Sequence, residues 1–537
     1  MTSGRRLLEL FLHELEVRES KDPNLFSTFS AAAAAAANHQ QTKRLRKLVE
    51  SLKLCDPLAA FLGCPGFSGN ISGDRLIWLP FGLPDKQRVG FASSRLGHSP
   101  DEYPLWFDTL RTVCARLKLD REAVVCTRDT AGFEFIQRCA YLFGCDRIEL
   151  VVADDHIRLE EWLLDLETSR MEQQEPGCFP AFLSPRFVGS VPRLQELVFG
   201  EDVALQLSEP TDSQSHSRDA WHCQLCQVIY ALHVTKKGNT FRALSNRSQN
   251  SSTLPATIFI PAKGDLVDET VRNKLVEQGA LLHYLYEPET SGEEVSSNLE
   301  TIVPADRVRR PENRLHPETV KPSSIQWFDA EQQEVWSYLT HCTRRRAGPW
   351  PDEDRATYLD DLIFRRVGAN HSALAALCRI LRTRKLVATA EFVRGESRVV
   401  SFSEKPLPDL LAQRVFRSHL SRWDFEPYGI CVDRYLIAQF AARPVIYGSE
   451  SDFEQLAEVD RPFFQKTSAA DDAAQPGIDW TIEQEWRLIG DLSLSRIPPY
   501  KAFAFVPTWE EAEFVAQFSR FPIRVIATAN AAENQQN

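Results

Sequence analysis

The chain has 537 residues, more than one hydrophobic core usually serves, so its length predicts two to four domains. Apolar residues make up 43% of it and charged residues 25%, ordinary globular proportions that exclude a largely disordered protein. The net charge of -12 argues against broad, nonspecific binding of nucleic acid.

The cysteines and the apolar runs of the sequence bear on where in the cell the protein is expected. Twelve cysteines are scattered along the chain instead of forming a dense paired framework, which is typical of reduced thiols. No apolar run approaches the roughly 18 residues of a membrane-spanning helix. The first residues, 1–17, mix leucines with acids and predict an amphipathic helix, not a signal peptide. We therefore expect a cytoplasmic protein without a membrane partner.

Residues 1–75 have the composition of a helical region. Ala31 to Ala37 form a seven-alanine tract of high helix propensity, with Ser30 as a possible N-cap. The tract fits a buried, closely packed helix and a mobile low-complexity stretch equally well. Neither alternative suggests chemistry.

Residues 76–287 predict a Rossmann-like α/β domain, because short apolar strands alternate with helices. Strands are expected near Val89, Ala123 and Ile148. Helices are expected over Trp106–Leu117 and from Thr130 onward. Further strands at 226–234, 256–261 and 280–285, with a helix over 265–278, continue the parallel sheet.

Two strand-to-helix turns of this domain have side chains suited to a phosphate group. The candidate residues are Ser93, Ser94, Arg95, Thr127, Thr130 and Gly132. Ligands of open α/β sheets bind at the carboxyl ends of the strands, where helix N-termini attract anions. A nucleotide or dinucleotide ligand is therefore expected. Small residues are also needed at such turns for structural reasons, and there is no G-x-G-x-x-G fingerprint.

Between the strands of this domain lies the single Cys-x-x-Cys of the chain, Cys223 to Cys226, with His216 upstream. Structural zinc commonly uses two such pairs, so buried thiols are the alternative and we expect no metal. The segment 288–325 is rich in Pro, Glu, Ser and Arg and predicts a linker.

Residues 326–530 contain polar residues in an order that suggests an α+β domain. His341-Cys-Thr343 sits at a predicted strand end, and a helical pattern follows from Ala373. A short strand then carries Ser401 and Ser403. Far downstream, Glu483 and Glu485 are two residues apart and would share one face of an extended segment.

Four ordered blocks resemble the bacterial abortive-infection AbiGi-type family. They are Ser401-Phe-Ser-Glu-Lys-Pro-Leu, Glu426-Pro-Tyr-Gly-Ile, Ala442-Arg-Pro-Val-Ile-Tyr and Glu483-Gln-Glu-Trp-Arg-Leu-Ile-Gly-Asp. The match covers roughly residues 336 to 527. It implies a bacterial domain associated with phage defence, and supports that setting better than it supports a reaction.

The order of His-x-Thr, helix, serine strand and Glu-x-Glu also resembles the ADP-ribosyltransferase superfamily, in particular DarT-type enzymes. This resemblance implies NAD as a substrate. It implies that His341 binds the nicotinamide-side ribose, that Thr343 holds the strand end, and that Ser403 or Tyr428 lies beside the nicotinamide ring. Glu485 would bind the ribose and stabilise an oxocarbenium-like transition state. Cys342 between His and Thr departs from many relatives.

Simpler explanations exist for the same residues. His341 could be a buried, hydrogen-bonded histidine, and Glu485 could pair with Arg487 at the surface, where such pairs contribute under about 1 kcal/mol. Arg344 to Arg346 could contact a pyrophosphate or form a solvated loop. A non-catalytic regulator that binds a partner protein or toxin is the alternative function. A catalytic domain requires His341, Ser403 or Tyr428, and Glu485 to converge on one cleft.

Overall fold

The computed structural model describes residues 58–61, 76–79, 83–97, 99–154, 175–183, 218–249, 256–264, 266–284, 324–329, 335–391, 393–394, 397–417, 422–467 and 480–526. The chain divides into two compact units, Met1–Arg309 and Arg310–Asn537. The division falls inside the segment predicted to be a linker. The seven-alanine tract, the first residues and His216 lie outside the described residues.

A nine-stranded sheet forms the centre of the first unit. Its strands are β1 (Leu58–Phe61), β2 (Leu76–Leu79), β3 (Gln87–Ser93), β4 (Glu122–Thr127), β5 (Asp146–Val152), β6 (Cys178–Leu183), β7 (Val228–His233), β8 (Thr257–Pro261) and β9 (Leu281–His283). Their order is β1-β2-β6-β5-β4-β3-β7-β8-β9. The seven strands from β6 to β9 are parallel, and β1 and β2 join one side in antiparallel fashion. The predicted parallel α/β sheet is confirmed, whereas β1 is a strand inside the region predicted to be helical.

In the part of this unit that the structure describes, five α-helices accompany these strands. They are α1 (Pro104–Arg116), α2 (Phe133–Leu142), α3 (Arg218–Leu225), α4 (Asn239–Gln249) and α5 (Glu269–Glu277). The central strands are buried almost throughout, as expected of a parallel sheet with helices on its faces. At Gly90 of β3, a Cβ atom would lie 2.2 Å from the sulfur of Cys226. The glycine therefore lets the end of α3 pack directly on the strand.

The strand order reverses direction between β3 and β7. From β3 the chain proceeds outward through β4, β5 and β6, and then returns to the other side of β3 with β7, β8 and β9. Helices on the two sides of such a point diverge and leave a crevice at the carboxyl ends of the strands. The corresponding position in this sheet lies beyond Ser93 and His233, which end the two strands, and we call it the crevice between β3 and β7.

The second unit is built on an eight-stranded mixed sheet. Its strands, with those of three small two-stranded sheets, are β10 (Ile325–Trp327), β11 (Tyr338–Cys342), β12 (Lys385–Leu386), β13 (Val399–Ser403), β14 (Val415–Arg417), β15 (Arg422–Asp424), β16 (Gly429–Asp433), β17 (Arg443–Pro444), β18 (Ile446–Gly448), β19 (Phe464–Lys466), β20 (Glu485–Ile489), β21 (Leu492–Ser493), β22 (Ala502–Val506) and β23 (Ile523–Val525). The order of the large sheet is β10-β23-β22-β16-β11-β13-β20-β17. Its mainly antiparallel pairing confirms the predicted α+β class.

The described residues of the second unit form the α-helices α6 (Arg355–Ile363), α7 (Ala373–Thr383), α8 (Leu407–Leu411), α9 (Arg434–Gln439), α10 (Glu450–Gln455) and α11 (Trp509–Ala516). The larger core lies on one face of the sheet and includes residues of α7 and α11, such as Leu377 and Val515. A smaller core on the other face contains Cys431, Phe503 and Phe505.

The large sheet opens between β11 and β13. These strands share a single registered pair, Thr340 with Ser403, whereas β11 pairs with β16 along its whole length. Beyond that pair, Nδ1 of His341 lies 2.9 Å from the carbonyl oxygen of Ser401. A side chain therefore spans the space where backbone hydrogen bonds would otherwise continue.

Candidate functional site

Neighbouring strands of the second unit bring two predicted site residues together. Ser403 of β13 lies opposite Thr340 of β11 on one side and opposite Glu485 of β20 on the other. Directly opposed residues of antiparallel strands project from the same face. Ser403 and Glu485 therefore lie side by side at the end of the sheet.

Glu485 is held by a buried arginine. The guanidinium of Arg487 donates to both carboxylate oxygens, at 2.9 and 3.0 Å, and Arg487 is only 2% exposed. The same guanidinium also donates to the carbonyl oxygens of Pro462 and Phe464. The predicted pair with Arg487 exists, but it is buried and bidentate. Removing one member of a buried pair is far more costly than breaking a surface pair.

Glu483, two residues earlier, has a carboxyl group with a raised pKa. Burial, together with the neighbouring charges of Glu485 and Asp424, raises the pKa of its carboxyl to about 7. Arg344 opposes that rise. Within the described residues the Glu483 carboxylate has no hydrogen bond or ion pair of its own, although its backbone oxygen accepts a 2.6 Å bond from the Ser403 hydroxyl. A carboxyl that titrates near neutrality suits general acid–base chemistry.

We call Arg344, Ser403, Glu483 and Glu485 the strand-end cluster. Arg344 follows β11, and its guanidinium is exposed, with one nitrogen 3.8 Å from Asp424. The cluster thus combines an exposed cation, a hydroxyl and two carboxyl groups. One carboxyl is held by Arg487, and the other has a raised pKa.

The backbone on both sides of the cluster is strained. Gln484, between the two glutamates, has φ +47°, and Phe425, next to Asp424, has φ +56°. Non-glycine residues rarely adopt this left-handed region, and such strain persists only where the surrounding structure imposes it. The sequence places the two glutamates on one face if their segment is extended. That condition is not met, because Glu483 ends a short 3₁₀ turn and β20 begins at Glu485.

His341 and Thr343 lie toward the other face of the sheet. His341 is opposite Ile430 and contacts the ring of Phe402 at 5.9 Å between centroids, and both of these residues belong to the larger core. Burial lowers the pKa of His341 to about 4, so its imidazole is neutral at pH 7. The Thr343 hydroxyl donates to the carbonyl oxygen of Ala373. The strand register therefore places His341 on a different face from Ser403 and Glu485, and the expected convergence of the three residues is not observed.

Tyr428 is likewise apart from the cluster. Its hydroxyl donates to Glu511 of α11 at 2.8 Å, and its ring packs against the larger core. Burial and this carboxylate raise the pKa of the phenol. Of the residues proposed to lie beside a nicotinamide ring, Ser403 rather than Tyr428 is next to the glutamates.

Arg344 is the site residue that the sequence underestimates. Residues alternate between faces along β11, so Cys342 lies on the side opposite His341. Arg344 and Glu483 both influence the pKa of the Cys342 thiol, which burial raises to about 12. The alternation of side chains between the two faces, continued beyond Thr340, places Arg344 on the same side as Cys342. The sequence alone does not show that this side also carries the glutamates.

In the first unit, the predicted phosphate turns are adjacent. β3 and β4 are parallel neighbours, so Ser93, Ser94 and Arg95 follow one strand end while Thr127 ends the next. The Ser93 hydroxyl donates to the Ser94 carbonyl oxygen and accepts from the Trp106 indole. Both serines are buried, and Arg95 is exposed.

The second turn is also tied to the protein. The Thr127 hydroxyl lies 2.9 Å from Nδ1 of His222, and the Thr130 hydroxyl donates to the Thr127 carbonyl oxygen. Gly132 has φ +79°, and a Cβ atom there would lie 2.7 Å from the Trp106 ring. Its position requires glycine for conformation and for packing. Burial lowers the pKa of His222 to about 4.

The crevice between β3 and β7 adds residues that the sequence did not single out. The Ser94 hydroxyl accepts a hydrogen bond from the backbone N–H of Thr235, just beyond β7. Gly238 precedes α4, and a Cβ atom there would lie 2.8 Å from the Thr235 hydroxyl. Lys236 and Lys237 between them are exposed. This turn, not the one after β4, adjoins the reversal of strand order.

Other kinds of site find little support in the described residues. Within the described ranges, no group of three or more His, Cys, Asp or Glu residues is arranged to hold a metal ion. Cys223 and Cys226 are buried in the core of the first unit. No helix in the same ranges has both the length and the apolar character needed to cross a membrane.

Comparisons with known proteins give no family. No family model matches the chain, and no curated protein matches it. Among solved structures it is similar to the X-ray structure of DNA processing protein A (DprA) from Streptococcus pneumoniae, at 11% identity over 52% of this chain and 89% of that one. The TM-score of 0.27 is too low to establish a shared fold.

Proposed function

We propose that the second unit is an NAD-using enzyme of the ADP-ribosyltransferase type and that the first unit senses a nucleotide, in a bacterial defence-associated protein. The observation that carries the enzymatic proposal is the strand-end cluster. In it, a carboxyl that titrates near pH 7 lies beside a carboxylate held by a buried arginine. The defence setting rests on the resemblance of the sequence blocks alone.

The chemistry divides between the two glutamates. Breaking the bond between nicotinamide and ribose leaves positive charge on the ribose, and the fixed carboxylate of Glu485 would stabilise it. The Glu483 carboxylate would accept the proton of the attacking acceptor or water as the new bond to ribose forms. The exposed guanidinium of Arg344 suits the pyrophosphate. The proposal departs from the ADP-ribosyltransferase pattern at His341, which lies toward the other face of the sheet and is a structural residue here. The requirement that His341 converge with Glu485 is therefore not met, and the proposal depends on the strand-end cluster alone.

The decisive experiment measures nicotinamide release from NAD by wild type and by Glu483→Gln. Losing a general base lowers turnover by on the order of 10²-fold or more. Glu458→Gln is the matched control, because Glu458 is exposed, belongs to the same unit and undergoes the same change of charge. No nicotinamide release by wild type in the presence of a bacterial lysate, which supplies acceptors, would refute the proposal.

The nucleotide-sensing proposal rests on the crevice between β3 and β7. Arg95, Lys237 and the backbone N–H groups at the start of α4 have the charge that a phosphate needs. Calorimetry with a panel of nucleotides tests it. We expect Arg95→Ala and Lys237→Ala each to weaken binding by about 1 kcal/mol or more. Absence of binding, or binding unchanged by both variants, would leave these turns with a structural role.

A non-catalytic partner-binding protein is the second candidate. It is favoured by the Glu485–Arg487 pair, because a bidentate bond to a buried arginine fully accounts for a carboxylate at this position. Glu485→Gln separates the two candidates. In an enzyme it lowers NAD turnover at a temperature where the fold remains intact, and in a binding protein it lowers only the melting temperature.

A further inference from the structure

Two exposed tryptophans meet at one edge of the eight-stranded sheet. Trp327 of β10 and Trp509 of α11 are 48% and 37% exposed, and their ring centroids lie 5.8 Å apart. Indole rings contribute large areas of apolar surface, and adjacent exposed rings are a feature of interaction sites. Nothing in the proposed NAD chemistry uses this pair.

Carboxylates border the two rings. Glu513 accepts a hydrogen bond from the Trp509 indole at 3.1 Å, which fixes the ring and leaves the π face available. Glu510 is exposed, and its carboxylate has no partner within the described ranges. Glu511, in contrast, is occupied by Tyr428 and Thr508. A cation over an indole face gains from the ring and from nearby carboxylates, whereas a phosphate would be repelled.

The strand beside the tryptophans has an unoccupied edge. β10 is the terminal strand of the sheet and pairs with β23. The Ser324 carbonyl and the Phe328 N–H bond to β23, so the backbone groups of the alternating residues Ile325 and Trp327 point away from it. In the ranges that the structure describes, no strand covers this edge. Exposed edges of this kind accept an added strand from another chain.

We propose that this edge binds a basic, extended segment of a partner protein. The segment pairs with β10 and lays a lysine or arginine side chain over the Trp327–Trp509 pair, within reach of Glu510 and Glu513. Since alternate side chains of a strand share one face, the fitting segment has basic residues at every second position. The site is independent of the strand-end cluster and of the NAD proposal.

Fluorescence anisotropy of the full chain with a labelled decapeptide of alternating lysine and serine tests the proposal. We expect binding that a glutamate–serine peptide does not show. Trp509→Ala and the double variant Glu510→Gln/Glu513→Gln should each weaken it at least about 5-fold. The control, Glu269→Gln/Glu277→Gln, removes the same two charges from the first unit and should leave binding unchanged.

Three outcomes would overturn the proposal. They are no binding of the lysine peptide, unchanged binding by Trp509→Ala, and an equal loss in the control variant, which would indicate attraction by net charge alone. If Trp509→Ala does not fold, Trp327→Ala provides the same test from the edge strand. Trp509→Phe should retain most of the binding because it keeps an aromatic face.

Discussion

The polar residues at the strand ends of the two units are used in opposite ways. In the first unit, the hydroxyls of Ser93, Ser94, Thr127 and Thr130 are all engaged by backbone or side-chain partners. In the second unit, Glu483 remains without a partner in the described ranges and has a raised pKa. A small polar residue at a strand end can thus be explained by the hydrogen bonds it makes within the protein. A half-buried carboxyl with a raised pKa and no partner is stronger evidence of chemistry, because folding alone gives no reason for it.

The largest expected effect on stability comes from breaking the fixed half of the cluster. Arg487→Met leaves Glu485 as a buried, unpaired carboxylate and orphans the carbonyl groups of Pro462 and Phe464. Because the arginine is buried and Glu485 is only partly exposed, we expect a loss of about 3–5 kcal/mol in the free energy of unfolding, measured by urea denaturation. Loss below about 1 kcal/mol would mean that Glu485 is not dependent on this arginine.

Gly90→Ala tests the packing of the first unit. The added methyl group would overlap the Cys226 sulfur, and β3 cannot move without its neighbours. We expect a loss of about 1–3 kcal/mol, read from the same denaturation curves. Gly279 has φ +97°, so alanine would be strained there and Gly279→Ala is not a suitable control. The control is Ala262→Gly, a change of one methyl group at a partly exposed loop position. Equal stability of Gly90→Ala and wild type would contradict the close approach of α3 to β3.

Glu483→Gln should stabilise the fold while abolishing activity. The carboxyl has a pKa of about 7 in the folded protein and an ordinary value of 4.5. Between these values the folded state binds the extra proton, so stability falls as pH rises through that window. The free energy of unfolding of the variant should therefore exceed that of wild type by about 1–2 kcal/mol at pH 8, with a higher melting temperature, and the difference should shrink toward pH 4.5. A lower melting temperature at pH 8 would show that the carboxylate is needed for folding.

Ser94→Ala is the smallest expected change. It removes the acceptor for the Thr235 N–H at the crevice between β3 and β7, which contributes about 1 kcal/mol. Thermal melts measure this, and the nucleotide calorimetry described above shows whether ligand binding falls in addition. A fall in affinity without a change in melting temperature would move Ser94 from the structural group to the binding group.

The sequence predicts much of the fold and part of the site. Strong apolar periodicity makes the parallel sheet predictable, and most of its strands lie within a few residues of their expected positions. The α+β unit follows from the order of its segments. The sequence places Ser403 and Glu485 on strands of one domain, so their proximity was predictable. The direct pairing of the two residues was not.

The face on which a residue lies was not predictable. A shift of one residue in register reverses every side chain of a strand, and nothing local to His341-Cys-Thr343 fixes the register of β11 against β13. The left-handed backbone at Gln484, which separates the environments of Glu483 and Glu485, is set by tertiary contacts instead of by local propensity. Long-range pairing thus gives Glu483 the surroundings that raise its pKa.

The opening between β11 and β13 has a mechanical consequence. The three strands β13, β20 and β17 are joined to the other five by the pair of Thr340 with Ser403 and by the His341 side chain. Few backbone hydrogen bonds therefore cross this seam. The ion pair of Arg434 with Glu404 and the larger core, which includes Ile430 on one side and Phe402 on the other, also join the two parts. The hydrogen bond between the His341 imidazole and the Ser401 carbonyl oxygen connects the two parts. Because the imidazole is neutral at pH 7, this connection places no charge beside the core.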